Sequence, residues 1–208
     1  MQISILLAHP DKNSFNHAIA KTARQVLRRL GYHVIYHDLY AEGFDPVFTK
    51  RELSGKGPLA LGIKTHCEEI SRADGIIVVH PNWWGQPPAV LKGWVDRVLR
   101  DGVAYRFNEG DNGEGVPVGL LRAKTAMIFN TSNTPIQREK DVFGDPLEQL
   151  WKYCIFHFCG VCHIFRKTYG VIVTSTPAER KRWLEDVGRS IAEQFPPVKS
   201  NKKRQPRR

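Results

Sequence analysis

The stretch "ISILLAHPDKNSFNHAIAKTARQVLRRLGYHVIYHDLY" occupies residues 3–40, and its reading decides the fold. Its opening, "ISILLAH" (3–9), is a nearly continuous apolar run stopped by Pro10, as expected of a parallel strand covered on both faces. From Ser14 to Leu30, the residues Ile19, Ala23, Val26, Leu27 and Leu30 recur at helical spacing, and Gly31 ends the helix. "YHVIYHDLY" (32–40) then reads as a second strand. Strand, helix and strand follow one another within forty residues.

The same alternation continues down the chain. An amphipathic segment over 59–73 leads to "GIIVVHP" (75–81) as the third strand, and a helix over 87–102 opens on Pro87 and Pro88, where a missing amide hydrogen costs least. Residues 125–133 give strand four, 145–160 a helix, 163–173 strand five and 176–195 a capped final helix. Alternation of this kind calls for an α/β architecture with right-handed crossovers. Five strands match the flavodoxin-like, doubly wound parallel sheet of order 2-1-3-4-5, with helices on both faces. One domain is expected over 1–196, followed by a basic, disordered tail over 197–208.

Composition narrows the function classes. The 208 residues are 41% hydrophobic and 25% charged, with a formal net charge of +10, an ordinary globular mixture. Six of the positive charges (Lys199, Lys202, Lys203, Arg204, Arg207, Arg208) fall in the last ten residues, and removing them leaves +4. That balance asks for no nucleic acid, and the tail has too little apolar surface to offset its ordering entropy. The opening "MQISILLAHPDKN" lacks a basic leader segment and a long apolar run, and no stretch reaches membrane-spanning length. A cytoplasmic location with four reduced cysteines is the expectation.

In an open α/β sheet the ligand lies beyond the carboxyl ends of the strands, at the switch point between strands one and three. Three loops sit there: "HPDKNSFN", "PNWWGQPP" and "NTSNTP". Ser14 and Asn16 stand at a helix start, whose free amides and dipole favour a phosphate, although capping alone is the commoner use of such residues. Trp83 and Trp84 follow Pro81 and offer a wall for a flat ring, with the Trp83, Trp84 and Gly85 amides as donors. Thr131, Ser132, Asn133 and Thr134 supply a third, polar wall. The G-x-x-x-x-G-K and G-x-G-x-x-G patterns are absent. A ligand with an aromatic ring and a phosphate points to a flavin nucleotide.

Four segments, "AHPDKNSFNHAI", "DLYAEGFDP", "HPNWWGQPPAVLKGWVDRVL" and "FHFCG", resemble the flavodoxin-fold NAD(P)H:quinone oxidoreductases over roughly residues 1–195. The resemblance implies that His9, Ser14, Phe15 and Asn16 bind the flavin phosphates and ribityl chain. It places Pro81, Asn82, Trp83, Trp84 and Gly85 along the isoalloxazine ring and Thr131, Ser132 and Asn133 at its polar edge. It implies FAD, with FMN as the alternative, NAD(P)H as hydride donor, and a quinone or similar acceptor reduced by two electrons in a ping-pong cycle. It implies a homodimer in which Tyr105 and Phe107 line the partner's cleft and Trp84 contacts substrate. Some relatives serve instead as flavin-loaded accessory subunits of potassium efflux transporters. The loop beyond strand four, "TPIQREKDVFGDP", lacks the Tyr and His of the mammalian members, and Arg138 and Lys140 stand there as candidate partners of an anionic reduced flavin.

One motif pulls elsewhere. Cys159-Gly160-Val161-Cys162-His163 fits the haem-attachment pattern C-x-x-C-H, with His157 and Cys154 nearby. Zinc or a redox dithiol would also suit these residue types. Four ligands crowded into seven residues would break the turn into strand five, and His157, Phe158, Cys159 and Gly160 fall on a helix-end motif of the family that packs structurally. No metal is expected there.

Overall fold

A computed structural model describes residues 1–55, 57–108 and 115–198. The chain runs β1 (Gln2–Leu7), α1 (Phe15–Arg29), β2 (His33–Asp38), α2 (Lys50–Leu53), α3 (Leu61–Arg72), β3 (Gly75–Pro81), α4 (Ala89–Val98), β4 (Tyr105–Arg106), β5 (Val118–Gly119), β6 (Thr125–Ser132), α5 (Ile136–Phe143), α6 (Pro146–Gln149), a π-helical continuation Leu150–His157, β7 (His163–Gly170) and α7 (Pro177–Gln194). The main sheet is parallel, in the order β2-β1-β3-β6-β7, which is the expected 2-1-3-4-5.

The buried strands explain their own composition. On β1, β3 and β6 the residues Ile3, Ile5, Leu7, Ile77, Val79, Met127 and Phe129 face α1 and α7, while Leu6, Ile76, Val78, Ala126 and Ile128 face α3, α4 and the π-helical segment. Both faces are dry, so both sets of alternating positions must be apolar. β7, at the edge, alternates instead between exposed and half-buried residues.

The expected helix over 145–160 is two-part. After α6 the chain widens into i→i+5 winding from Leu150, and this wider coil turns Trp151, Ile155 and Phe156 into the core together. Three short elements carried no readable period: α2, α5 and the β4–β5 pair. α2 is a single turn held by a capping box between Thr49 and Glu52. At the other end, Tyr32 Oη donates to the Pro196 carbonyl at 2.7 Å and the Val198 amide to the Leu30 carbonyl at 2.9 Å, so the described chain stays attached beyond residue 196. The basic run 199–208 lies outside the described residues.

Candidate functional site

The carboxyl ends of β1, β3 and β6 open into one cleft of about 780 Å³. Its lining includes His9, Ser14, Phe15, Asn16, Pro81, Asn82, Trp83, Trp84, Gly85, Thr131, Ser132 and Asn133, every residue assigned to the cofactor from sequence. Three loops converge because the strands that carry them are neighbours, β1 beside β3 and β3 beside β6.

The first wall is the start of α1. Ser14 caps it in extended conformation, its Oγ accepting from the His17 amide, and the Phe15 and Asn16 amides have no intrahelical acceptor, as at any helix start. Asn16 is buried. Its Nδ2 donates to Thr131 Oγ1 at 2.9 Å, and its Oδ1 has no partner among the described residues. An acceptor buried in that state costs about 1–3 kcal/mol, so the wall favours a ligand that brings a donor. His9 Nδ1 lies 3.1 Å from the Asp11 amide, which can only donate, and 3.3 Å from the Asp11 carbonyl, which can only accept, so the loop accommodates a proton on either ring nitrogen. Burial is the main cause holding the His9 pKa below its ordinary value. A nearby anion would oppose that shift.

The second wall is a tight turn. Trp83 and Gln86 exchange both backbone hydrogen bonds, at 3.1 and 3.0 Å, around Trp84 and Gly85 with φ of 56° and 71°, the geometry of a two-residue primed turn. Gly85 fits because a Cβ there would stand 2.6 Å from Pro146 Cγ. Trp84 has no such excuse: it carries a bulky side chain at positive φ and is fully exposed, a strained state of the sort that persists at ligand sites. One expectation needs correction here. The Trp83 amide is spent on Gln86 and the Gly85 amide on Asn82 Oδ1 at 3.0 Å, because closing the turn consumes them, which leaves Trp84 as the amide of the three with no acceptor among the described residues.

Beneath this wall lies a buried polar chain that no sequence pattern announced. Trp151 Nε1 and Asn130 Nδ2 both donate to His80 Nε2 at 2.9 Å, so the proton sits on Nδ1 and is given to the Pro81 carbonyl at 2.7 Å. Burial pushes the His80 pKa down to about 4, keeping the ring neutral. Arg166 extends the chain, donating to Asn130 Oδ1 at 3.0 Å and pairing with Asp145 and Glu148.

The third wall also spends part of its polarity on itself. Ser132 Oγ accepts from the Thr134 amide and Asn133 Oδ1 from the Val173 amide, each at 3.0 Å. Thr131 Oγ1, accepting from Asn16, keeps its own hydrogen for the cleft. The lining continues through Glu139, Phe143, Pro146, Ile172 and Arg180, all missed from sequence because they come from α5, α6, the β7–α7 connection and the start of α7. Arg138 and Lys140 are not in it. The single helical turn that directs Glu139 and Phe143 inward carries the intervening residue Lys140, and the preceding Arg138, away; Arg138 stacks over Phe143 at 5.7 Å. Tyr105 and Phe107 also lie outside this cleft: Tyr105 packs on Phe158 at 5.0 Å and Phe107 is 43% exposed.

In the C-x-x-C-H segment Cys159 and Val161 turn into the core while Cys162 and His163 are exposed. Cys159 is buried, and burial drives its thiol up to about 11, far from a reactive thiolate. Gly160, at φ of 86°, lets β5 approach, and a Cβ on Gly119 would meet its nitrogen at 2.2 Å. Among the described residues the grouping of histidine, cysteine and carboxylate atoms close enough for a cation is His37, Glu42 and His66, elsewhere in the fold.

The family model for the flavodoxin-like fold matches residues 1–166. The chain belongs to the flavodoxin-like family. Among flavodoxin-like relatives it is similar to an NAD(P)H oxidoreductase of Haemophilus influenzae, 32% identical with 87% of this chain and 89% of that one covered. It is also similar to a mouse ribosyldihydronicotinamide dehydrogenase [quinone], 32% identical with 88% and 87% covered. A solved structure from Streptococcus mutans shares 30% identity and a TM-score of 0.80, covering 93% of this chain and all of that one.

Proposed function

We propose that the cleft holds a flavin nucleotide and that the protein is a flavin-dependent NAD(P)H oxidoreductase acting on quinones or similar two-electron acceptors. The observation that carries this is the convergence of a helix N-terminus, a fully exposed Trp84 and the polar end of β6 on one cleft. The relatives named as an NAD(P)H oxidoreductase and a ribosyldihydronicotinamide dehydrogenase [quinone] share about a third of the sequence over 87% and 88% of the chain.

When bound, a flavin supplies the hydride chemistry, and the chain supplies binding, orientation and electrostatics. The Phe15 and Asn16 amides and the His9 ring would hold the phosphate. Trp83, Trp84 and Gly85 flank the ring, with the Trp84 amide as its open donor, and Thr131 Oγ–H serves the polar edge. Between FAD and FMN we favour FAD: the first loop is most like that of FAD-binding members, and Arg180 in the lining offers a cation suited to a diphosphate. The full exposure of Trp84 suits a homodimer in which Tyr105 and Phe107 cover the partner's cleft. Residues 1–196 form the flavin-binding unit in this reading, in the cytoplasm, and no described helix is long and apolar enough to cross a membrane.

A visible spectrum of the purified protein, taken before and after NADPH under argon, tests the proposal. Flavin bands that bleach on addition are expected, and mass analysis of the released cofactor separates FAD from FMN. A protein that takes up neither flavin defeats the reading.

A further inference from the structure

Ser14 does more than cap α1. Its Oγ lies 3.1 Å from His17 Nδ1 and 3.3 Å from the His17 amide nitrogen, while His17 Nε2 lies 3.0 Å from Asp38 Oδ2. The other oxygen of Asp38 accepts from the Ala41 amide at 3.1 Å, which fixes the carboxylate. The His17 and Asp38 side chains are largely shielded, and Ser14 lines the cleft. The line Asp38, His17, Ser14 thus runs from β2 to the place where the helix offers its amides.

The direction of each hydrogen bond is decided by counting protons. A carboxylate only accepts, so His17 Nε2 carries a hydrogen. The backbone amide only donates, so Ser14 Oγ accepts from it. If His17 is neutral, Nδ1 is a bare lone pair and takes the one hydroxyl proton Ser14 has, leaving Oγ to show an incoming anion nothing but lone pairs. If His17 is a cation, Nδ1–H donates to Oγ and the hydroxyl proton is released toward the cleft. An acceptor-only anion such as a phosphate can accept from Ser14 while the Ser14–His17 hydrogen bond is kept in the second state alone.

We infer that His17 is a positioning residue that links cofactor binding to protonation: held by Asp38, it turns the Ser14 hydroxyl from an acceptor into a donor when the flavin phosphate binds, and takes up a proton as it does so. The inference rests on the flavin reading of the cleft. The proton comes from solvent to Nδ1, no covalent bond changes, and the hydroxyl hydrogen moves from the Ser14–His17 bond to the Ser14–phosphate bond. The titratable groups that face His17 are His9, whose ring centre is 6.4 Å away, and Asp38 on β2, with Lys21 one turn along α1; Asp11 and Arg180 are further charged groups of the cleft lining.

Calorimetric titration of the flavin-free protein with FMN at pH 7.5, in buffers of different ionisation enthalpy and without phosphate, reads the protons taken up. About one proton per FMN is expected in the wild type, and less with riboflavin, which lacks the phosphate. Ser14→Ala keeps both histidines yet should lose most of that uptake, His17→Gln should lose it too, and Ser14→Thr should retain it. In the nitrogen-15 spectrum of the imidazoles, the His17 Nδ1 signal should move to the protonated position on adding FMN. FMN binding with uptake unchanged in Ser14→Ala and a His17 signal that does not move would overturn the relay while leaving the flavin reading intact. A wild type that binds neither FMN nor FAD would defeat the flavin reading itself, and the relay with it.

Discussion

Asn16 Nδ2 donates to Thr131 Oγ1 over 2.9 Å, in a buried bond that joins the start of α1 to the end of β6 across the cleft. It holds two of the three walls in register, and it is the contact through which the first loop senses the third. Asn16→Ala removes the donor and leaves a small void but also removes the unpartnered Oδ1, so a net loss of no more than about 1 kcal/mol in unfolding free energy is expected. The same change should weaken flavin retention by roughly tenfold. Urea titration and fluorescence quenching of added FMN measure the two effects. Thr131→Val, which keeps the shape but not the oxygen, should reproduce the first.

Trp84 invites a comparison of two substitutions. Its ring is fully exposed, so deleting it sacrifices no packing in the isolated chain, yet its φ of 56° is unfavourable for any residue with a Cβ. Trp84→Ala and Trp84→Gly both remove the ring, and only the second relieves the backbone. The glycine variant should unfold about 1 kcal/mol later than the alanine variant, while both bind flavin less tightly than the wild type. Equal stabilities would mean that the turn is not strained at that position.

How much of the fold and of the cleft is legible in the sequence follows from which signals are periodic. β1, β3 and β6 announce themselves because a strand buried on both faces must be apolar at every position, as Ile76, Ile77, Val78 and Val79 are. The first two loops of the cleft were legible for a positional reason: whatever follows such strands lies at the binding edge. Glu139 and Phe143 were not legible, since α5 has only eight residues and no apolar stripe, and Arg180 was not, since it is tertiary packing that brings the first turn of α7 to the cleft. The hydrogen-bond roles of Trp83, Gly85 and His80 were equally hidden, because a sequence names donors without saying which are already spent.

A cluster on the other side of the sheet makes stability depend on pH. Burial alone would lower the His37 pKa, but hydrogen bonds to Glu42 at 2.9 Å and Glu69 at 2.7 Å outweigh it and raise it. Burial alone would likewise raise Glu42, yet the hydrogen bonds and charges of His37 and His66 hold it down at about 2. The grouping has the composition of a metal site, but Trp94 Nε1 donates to His66 Nδ1 at 3.1 Å, which puts the ring proton on Nε2 facing Glu42 and leaves no lone pair for a cation. The Glu42 contribution is present above its unfolded pKa and lost as pH falls toward 2. The His37 contribution is present below about pH 6.5 and fades as pH rises through its raised folded value. Stability from the cluster should therefore peak between roughly pH 5 and 6.5. Glu42→Gln should flatten both arms and cost about 1 kcal/mol at the peak, a modest figure because the Glu42 side chain is 36% exposed and screened by solvent. Thermal melts across that range decide it.

Glu139 brings a carboxylate, only 8% exposed, into the cleft wall beside Phe143 and Pro146. No side-chain ion pair is recorded for it among the described residues, so its charge acts on whatever occupies that end of the cleft. A unit charge about 4 Å away in a water-filled cleft is worth about 1 kcal/mol, which is roughly fivefold in a rate constant. An electron acceptor bearing a sulfonate should be turned over more slowly than its neutral analogue, and Glu139→Gln should narrow that gap by about that factor through kcat/KM. Neutral acceptors should change little, since they feel the charge only through a dipole. Steady-state rates with a neutral and a sulfonated quinone, at low and high salt, provide the measurement. Equal effects of the substitution on both acceptors would mean that Glu139 acts through the shape of the wall, whereas a difference that shrinks as salt rises is the signature of its charge.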